Sequence, residues 1–356
     1  MANHASNKTA LEQLRRAQYN FEEEAVRAAL QSICAEDATF NFAFPLSTTV
    51  GLDAFYETAF APLLKAWPDL ERRDYIVMAG TDDHGHDWVG CGGYFTGTSF
   101  GPWLDIPPNG HQSHMRFHEF YRFVDGKVVE VQSLWDIPEV MLQSNAWPMA
   151  PSLGREWHIP GPATMDGIIR GSSGAAAGRE TKDRIIDMLE HLKKHPSQGG
   201  PEVMEMERFW HPRTSWYGPA GIGTGRGIAG FRNWHQIPFL NAMPDRGLKR
   251  DQIVYHFFGE HNYAAVTGWP NMIQTVTHDG WMGIAPAGKE ITMKSLDFWR
   301  LEDGLIRENW VMVDILDAYQ QLGVDVLGRM REFNKARNVS SLSQQLMSSD
   351  FRTQGC

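Results

Sequence analysis

Acidic and imidazole side chains set among aromatic residues are the groups in this chain that could move protons. Glu119 stands in a strand-like run with Phe117 and Tyr121, and Asp297 in a matching run with Trp299. In an apolar pocket, desolvation raises the pKa of a carboxyl group toward neutrality, so it can take or give a proton at working pH. Asp136 and Asp314 end the next strand-like runs, each just before a helix-like stretch, PEVMLQ or LDAYQQ. Both are read in two ways, as a helix N-cap or as a catalytic carboxylate.

Histidines gather in the first half, with His111, His114 and His118 on one stretch and His84 and His86 in the polar tip TDDHGHD. His118 is the candidate acid or base among them, and His114 a candidate substrate contact. As metal ligands the pair fails: on a strand rising ~3.3 Å per residue they stand about 13 Å apart, too far for one ion. The second half carries His235, His256, His261 and His278 at other positions. No nucleophile elbow supports a Ser-His-Asp triad. The glycine-rich GSSGAAAG lacks the Gly-Lys-Ser/Thr ending of a phosphate loop. Neither half holds a metal-ligand cluster or a nucleotide loop, so no metal and no organic cofactor is expected.

These residues are positioned by a repeat. Residues 106–136 align without a gap on residues 284–314, and Ile106, Pro108, Gly110, Met115, Phe120, Arg122, Asp125, Gly126, Glu130 and Asp136 meet the same types. Residues 51–69 align in the same way on residues 227–245, and the second half carries two extra residues between the blocks. A repeat of this length makes the chain one unit built twice. Asp-Gly between two alternating runs predicts a long hairpin in each copy. A type I turn with a glycine bulge would put Asp297, Trp299 and Asn309 on one face; a two-residue turn would pair Asp297 with Trp310 instead.

Ahead of the hairpins, residues 11–34 read as helix, residues 39–44 as a strand and residues 51–66 as a second helix that Pro62 could break. Residues 73–79 and 88–97 read as strands. The expected organisation is a domain over residues 1–148, a Pro- and Gly-rich linker over 149–179, partly ordered near Trp157, a second domain over 180–335 and a flexible tail over 336–356.

A net charge of −10 and the lack of a basic run argue against nucleic acid and an anionic membrane as partners. Three scattered cysteines make no disulfide framework, and no secretory or membrane-spanning run is seen, so a cytoplasmic location is expected.

The order helix, Gly-x-x-x-Phe helix, Pro-Asp, strands, Ile-x-Pro-x-Gly, the Arg-x-x-Asp-Gly hairpin and a terminal Asp resembles the SnoaL-like polyketide cyclases, as does the Gln-Gln-Leu-Gly ending of the second copy. The resemblance implies the fold of nuclear transport factor two: an α+β chain of two tandem cone-shaped barrels, each a curved antiparallel sheet wrapped around N-terminal helices. Each cone would hold a deep apolar pocket, with His235 in the helix over its mouth. Tyr121, Trp299, Asn309 and Trp310 are then substrate contacts. The family's final strand commonly reads Glu-His-Trp-Asp; here the two copies read Glu308-Asn309-Trp310-Val311 and Glu130-Val131-Gln132-Ser133.

The implied function is cofactor-independent proton transfer on a carbonyl-containing small molecule: isomerisation, dehydration or aldol-type cyclisation. A non-catalytic ligand-binding module and a hydrolase using activated water are the alternatives. Small relatives pair sheet to sheet, so the chain is expected to contain that pair, with homo-oligomerisation left open. One working site is expected, favoured in the second half, where Asp297, Asn309 and Asp314 would form a polar group.

Overall fold

The computed structural model describes residues 3–171, 173–278 and 280–335. Half one runs α1 (His4–Tyr19), α2 (Glu23–Ile33), β1 (Cys34–Phe42), β2 (Thr48–Val50), α3 (Leu52–Thr58), α4 (Phe60–Ala66), β3 (Glu71–Thr81), β4 (Asp87–Thr98), β5 (Gln112–Val124), β6 (Lys127–Trp135) and α5 (Ile137–Gln143). Half two runs α6 (Ala175–Leu192), α7 (Met206–Phe209), β7 (Trp210–Tyr217), β8 (Thr224–Arg226), α8 (Gly227–Phe231), α9 (Ile237–Ala242), β9 (His256–Glu260), β10 (Tyr263–Thr267), β11 (Met272–Val276), β12 (Lys289–Met293), β13 (Ser295–Glu302), β14 (Leu305–Val313), α10 (Ile315–Gln321) and α11 (Val326–Lys335).

The two six-stranded sheets have equivalent orders, β2-β1-β6-β5-β4-β3 and β8-β7-β14-β13-β10-β9. The chain is therefore α+β, with two tandem copies of one fold. The sheets are antiparallel except where β1 meets β6 and β7 meets β14, which run parallel. The helix expected over residues 11–34 is two helices, divided at residues 20–22. The next helix divides at Ala59 and not at Pro62. Pro62 sits in the first turn of α4, where the N–H that proline lacks has no helical partner in any case. In α2, Val26, Leu30 and Ile33 recur at helical spacing and are buried.

Both hairpins use two-residue turns with positive φ, at Asp125 and Gly126 (49° and 77°) and at Asp303 and Gly304 (51° and 75°). Glycine makes the second position cheap. Beyond each turn one residue is left unpaired. Phe123 pairs with Val128 but Arg122 with Glu130; Leu301 pairs with Ile306 but Arg300 with Glu308. These bulges at Val129 and Arg307 shift the pairing by one residue and reverse which side chains face the core. Trp299 lies opposite Asn309 and Asp297 opposite Val311. The shared face of Asp297, Trp299 and Asn309 thus arises from a two-residue turn combined with a separate bulge.

The two extra residues of half two can be placed. Cys91 pairs with Glu119 and Phe95 with Met115 in half one; Val266 pairs with Asp297 and Met272 with Met293 in half two. Residues 267–271 therefore stand where half one has residues 92–94, and they break one long strand into β10 and β11.

The sheets meet about a pseudo-twofold axis. Phe120 stacks on Phe298, its own equivalent, with centroids 5.1 Å apart. A Cβ on Gly90 would come within 2.9 Å of the Phe298 ring, so that glycine is required by close approach. The 149–171 stretch is pinned along this seam: Val77 N–H donates to Gly167 O (2.8 Å), Ile169 N–H to Val77 O (2.9 Å) and Trp310 Nε1–H to Pro160 O (2.9 Å). It is thus ordered well beyond Trp157. The tail over 336–356 lies outside the described residues. Among the described residues no helix is long and apolar enough to cross a membrane.

Candidate active site

Half two contains a cavity of about 870 Å3 of space not filled by atoms, its open mouth included. Its walls are mostly apolar, from α6, α8, α9 and the inner face of the sheet, with Trp216, Phe231, Phe239 and Trp299 among the rings. A few polar groups converge on it: Asp297, Ser295, Asn309, Asn271, His235, Gln236 and Arg246.

Asp297 is placed by β13. Ser295, two residues earlier on the same face, donates from Oγ to Asp297 Oδ1 at 2.7 Å. Burial pushes the Asp297 carboxyl up to about 7, against the lowering effects of Ser295 and Arg246. Asn271, from the inserted residues, holds the start of β13: its Nδ2 donates to Ser295 O (2.6 Å) and its Oδ1 accepts from Ser295 N–H (2.8 Å). Asn309 donates from Nδ2 to Phe298 O at 3.0 Å. Trp299 lines the cavity with an indole N–H that has no partner among the described residues.

His235 and Gln236 lie in a π-helical turn, Arg232–Gln236, between α8 and α9. Such turns recur at functional sites because they re-aim side chains within a helix. The His235 ring stacks on Trp216, with centroids 4.0 Å apart and planes 13° apart. Burial lowers its pKa to about 3, so the ring is neutral. His235 Nδ1 and both amide atoms of Gln236 are buried without hydrogen-bond partners among the described residues. Buried polar atoms are nearly always paired, so this concentration beside a cavity points to a ligand.

The repeat shows how the cavity is made. In half one the same space is filled by Phe60, Phe95, Phe117 and Trp135, with Phe60 and Phe95 lying 5.5 and 5.3 Å from Trp135, centroid to centroid. The equivalent residues of half two are Gln236, Met272, Ser295 and Val313, and all four line the cavity. Three of these large-to-small exchanges, Phe60 to Gln236, Phe117 to Ser295 and Trp135 to Val313, lie within the aligned blocks of the repeat, and the fourth, Phe95 to Met272, follows from the strand pairing. Gln236 and Ser295 were legible as the smaller partners of Phe60 and Phe117, whereas Asn271, among the inserted residues, and Arg246, beyond the aligned block, had no such signal.

The other expected site residues lie elsewhere. Glu119 is tied into a buried knot, accepting from Arg72 Nη1 (2.6 Å), the Tyr121 hydroxyl (2.5 Å), Trp135 Nε1 (3.1 Å) and Ser133 Oγ (3.4 Å). Tyr121 is thereby committed to Glu119. His118 sits at the seam, its Nδ1 2.5 Å from Leu296 O; a carbonyl only accepts, so that nitrogen carries the proton. Burial, then the Arg116 charge, holds the His118 pKa well below its usual value. His114 faces Glu139 (3.4 Å) and the His158 ring (4.5 Å). The Arg307 bulge turns Trp310 to the seam, 5.5 Å from the Tyr217 ring, and not into the cavity.

Asp136 and Asp314 cap α5 and α10, accepting from Glu139 N–H (3.3 Å) and Asp317 N–H (3.2 Å). Each also crosses the seam: Asp136 Oδ2 accepts from Ala220 N–H (2.9 Å) and Asp314 Oδ2 from Phe44 N–H (3.0 Å). Ala220 and Phe44 are equivalents, so these are one clasp made twice. Asp314 is thus a cap and a clasp, and the polar group expected around Asp297 and Asn309 forms without it.

A profile of the SnoaL-like polyketide cyclases matches residues 12–144 and again 202–322. A comparison with curated proteins gave no match. Among solved structures, a candidate SnoaL-like polyketide cyclase from Jannaschia sp. CCS1 is 20% identical, with 39% of this chain and 90% of that chain covered and a TM-score of 0.34. IdmH from Streptomyces antibioticus, a candidate polyketide cyclase, is 17% identical over 39% of this chain and 98% of its own, with a TM-score of 0.32. An NTF2-like protein from Burkholderia thailandensis E264 is 19% identical over 39% and 96%, with a TM-score of 0.31. The profile matches most of the chain, once in each half, and on that basis the chain belongs to the SnoaL-like polyketide cyclase family, two copies in one polypeptide.

Proposed function

We propose that the cavity of half two is the working site of a cofactor-independent enzyme that moves a proton on an apolar, carbonyl-bearing small molecule. Isomerisation, dehydration and aldol-type ring closure all fit that chemistry. The observation that carries the reading is Asp297: a carboxyl raised to about 7 on the wall of an apolar cavity, beside polar groups with no partners among the described residues. Near neutral pH both of its protonation states are populated, which is what an acid/base group needs.

In this reading the Asp297 carboxylate takes a proton from the carbon next to the carbonyl. The oxygen then gains negative charge, and the Trp299 Nε1–H, with Gln236 or the neutral His235 ring, supplies donors already in place for it. Ser295 holds one carboxylate oxygen in place with its hydroxyl, and the Met312 backbone N–H also donates to the carboxylate.

The test is hydrogen–deuterium exchange at the acidic carbon of an aromatic β-keto ester in D2O, followed by NMR. The intact chain should accelerate exchange, and Asp297→Asn should reduce that acceleration roughly 10²–10⁴-fold while keeping ligand binding. Binding by both proteins with no exchange by either would favour a ligand-binding module.

A further inference from the structure

The tip between β3 and β4 is built around one carboxylate. Asp82 Oδ1 accepts from His84 N–H (2.9 Å) and His86 N–H (2.8 Å), and Asp82 Oδ2 accepts from Trp88 Nε1–H (3.0 Å). The Asp82 side chain has no exposed surface. Gly85, at φ +83°, closes the tip between the two histidines. Half two completes the group: His256, the first residue of β9, brings Nδ1 to 2.6 Å from Asp82 Oδ2.

Ligand atoms of Asp82, His86 and His256 all lie within 4.8 Å of one another. His86 Nδ1 is 3.3 Å from Asp82 Oδ2 and, though buried, makes no hydrogen bond among the described residues. The rings of His84, His86 and His256 form a triangle with sides of 5.6, 5.7 and 6.1 Å. Three imidazoles bound to a tetrahedral ion through nitrogens at ~2.0–2.1 Å have ring centres roughly 5 Å apart, so small side-chain rotations close the set.

We propose that this seam binds one divalent transition-metal ion of the zinc class, ligated by Asp82, His86 and His256, with His84 at the fourth corner. Imidazole and carboxylate ligands suit zinc and its neighbours better than the hard ions magnesium and calcium. Neither half holds this ligand set alone. Three residues of half one and one of half two make it, and that is why reading each half separately led to an expectation of no metal. The ion joins the two halves at the β3–β9 edge, so its binding energy adds to the stability of the assembled chain.

The test uses the full chain without an affinity tag, stripped with a chelator and titrated with Co2+ and Zn2+. The expected result is one ion per chain, visible Co2+ bands of four-coordinate intensity, and a thermal midpoint that rises with Zn2+ and falls with chelator. His86→Ala, at a partly exposed position, and His256→Ala should each weaken binding more than roughly 100-fold, the upper end of what loss of a mere supporting partner costs. His114→Ala, outside the group, should change nothing. Circular dichroism establishes that each variant folds. Binding by the intact chain no tighter than by the His86/His256 double variant, or a midpoint indifferent to Zn2+, overturns the proposal and leaves a His256–Asp82 hydrogen bond alone.

Discussion

The two halves share a backbone and differ in what fills it. Half one closes its cone with Phe60, Phe95, Phe117 and Trp135; half two has Gln236, Met272, Ser295 and Val313 at those positions and holds a cavity. The acidic residue on the inner strand differs in the same sense. Glu119 is neutralised by Arg72 inside a packed core, whereas Asp297 borders open space with one hydroxyl donor. One scaffold thus yields a structural ion pair where the space is full and a titratable carboxyl where it is open.

Substitutions in each half test that contrast. The largest effect is expected from Asp297→Asn, the roughly 10²–10⁴-fold loss of exchange given above, with the fold intact by circular dichroism. Its counterpart Glu119→Gln should leave exchange kinetics alone and lower stability by about 3 kcal/mol in urea unfolding, because the buried Arg72 loses a charged partner. Equal losses of turnover from both would end the idea that only one half works. Trp135→Val, which imitates half two, should cost about 3 kcal/mol or slightly less by opening a void. Val313→Trp, the converse, should block ligand binding in a fluorescence or calorimetric titration with a smaller loss of stability.

A separate effect is on pH dependence. The folded Asp297 carboxyl stands at about 7 against an ordinary 3.8, so between those values the folded chain holds more protons than the unfolded one. Stability contributed by Asp297 is therefore complete below about pH 4 and declines as pH rises to about 7, by up to about 1.4 kcal/mol per unit. Asp297→Asn should remove that part of the decline. Urea unfolding at pH 5 and pH 7 measures it; identical pH slopes in both proteins would place the titration elsewhere.

Much of the fold was legible because the repeat marks every conformationally demanding position twice. Asp125-Gly126 and Asp303-Gly304 announced the hairpins, and both adopt positive φ. The bulges were not legible. Nothing in Val129 or Arg307 demands an unpaired residue, yet each decides which face every side chain of its strand takes. That is why Trp310 was grouped with Asn309 although they point to opposite sides. The seam was illegible for another reason. The clasps of Asp136 and Asp314 and the His118–Leu296 contact join residues far apart in the chain, and no local pattern records them.

The stacked pair Phe120 and Phe298 has a consequence for how this chain can change over generations. In a dimer of identical subunits, any substitution near the axis happens twice and must suit both copies at once. Here the strand neighbours of that pair already differ: Gly90 lies beside Phe120, and Ala265 beside Phe298. A methyl at Gly90 would collide with Phe298, while Ala265 carries one at the equivalent place. Fusion of two copies into a single polypeptide releases each from matching the other. One copy is then free to specialise around a cavity, and its twin to become the wall against which that cavity is held.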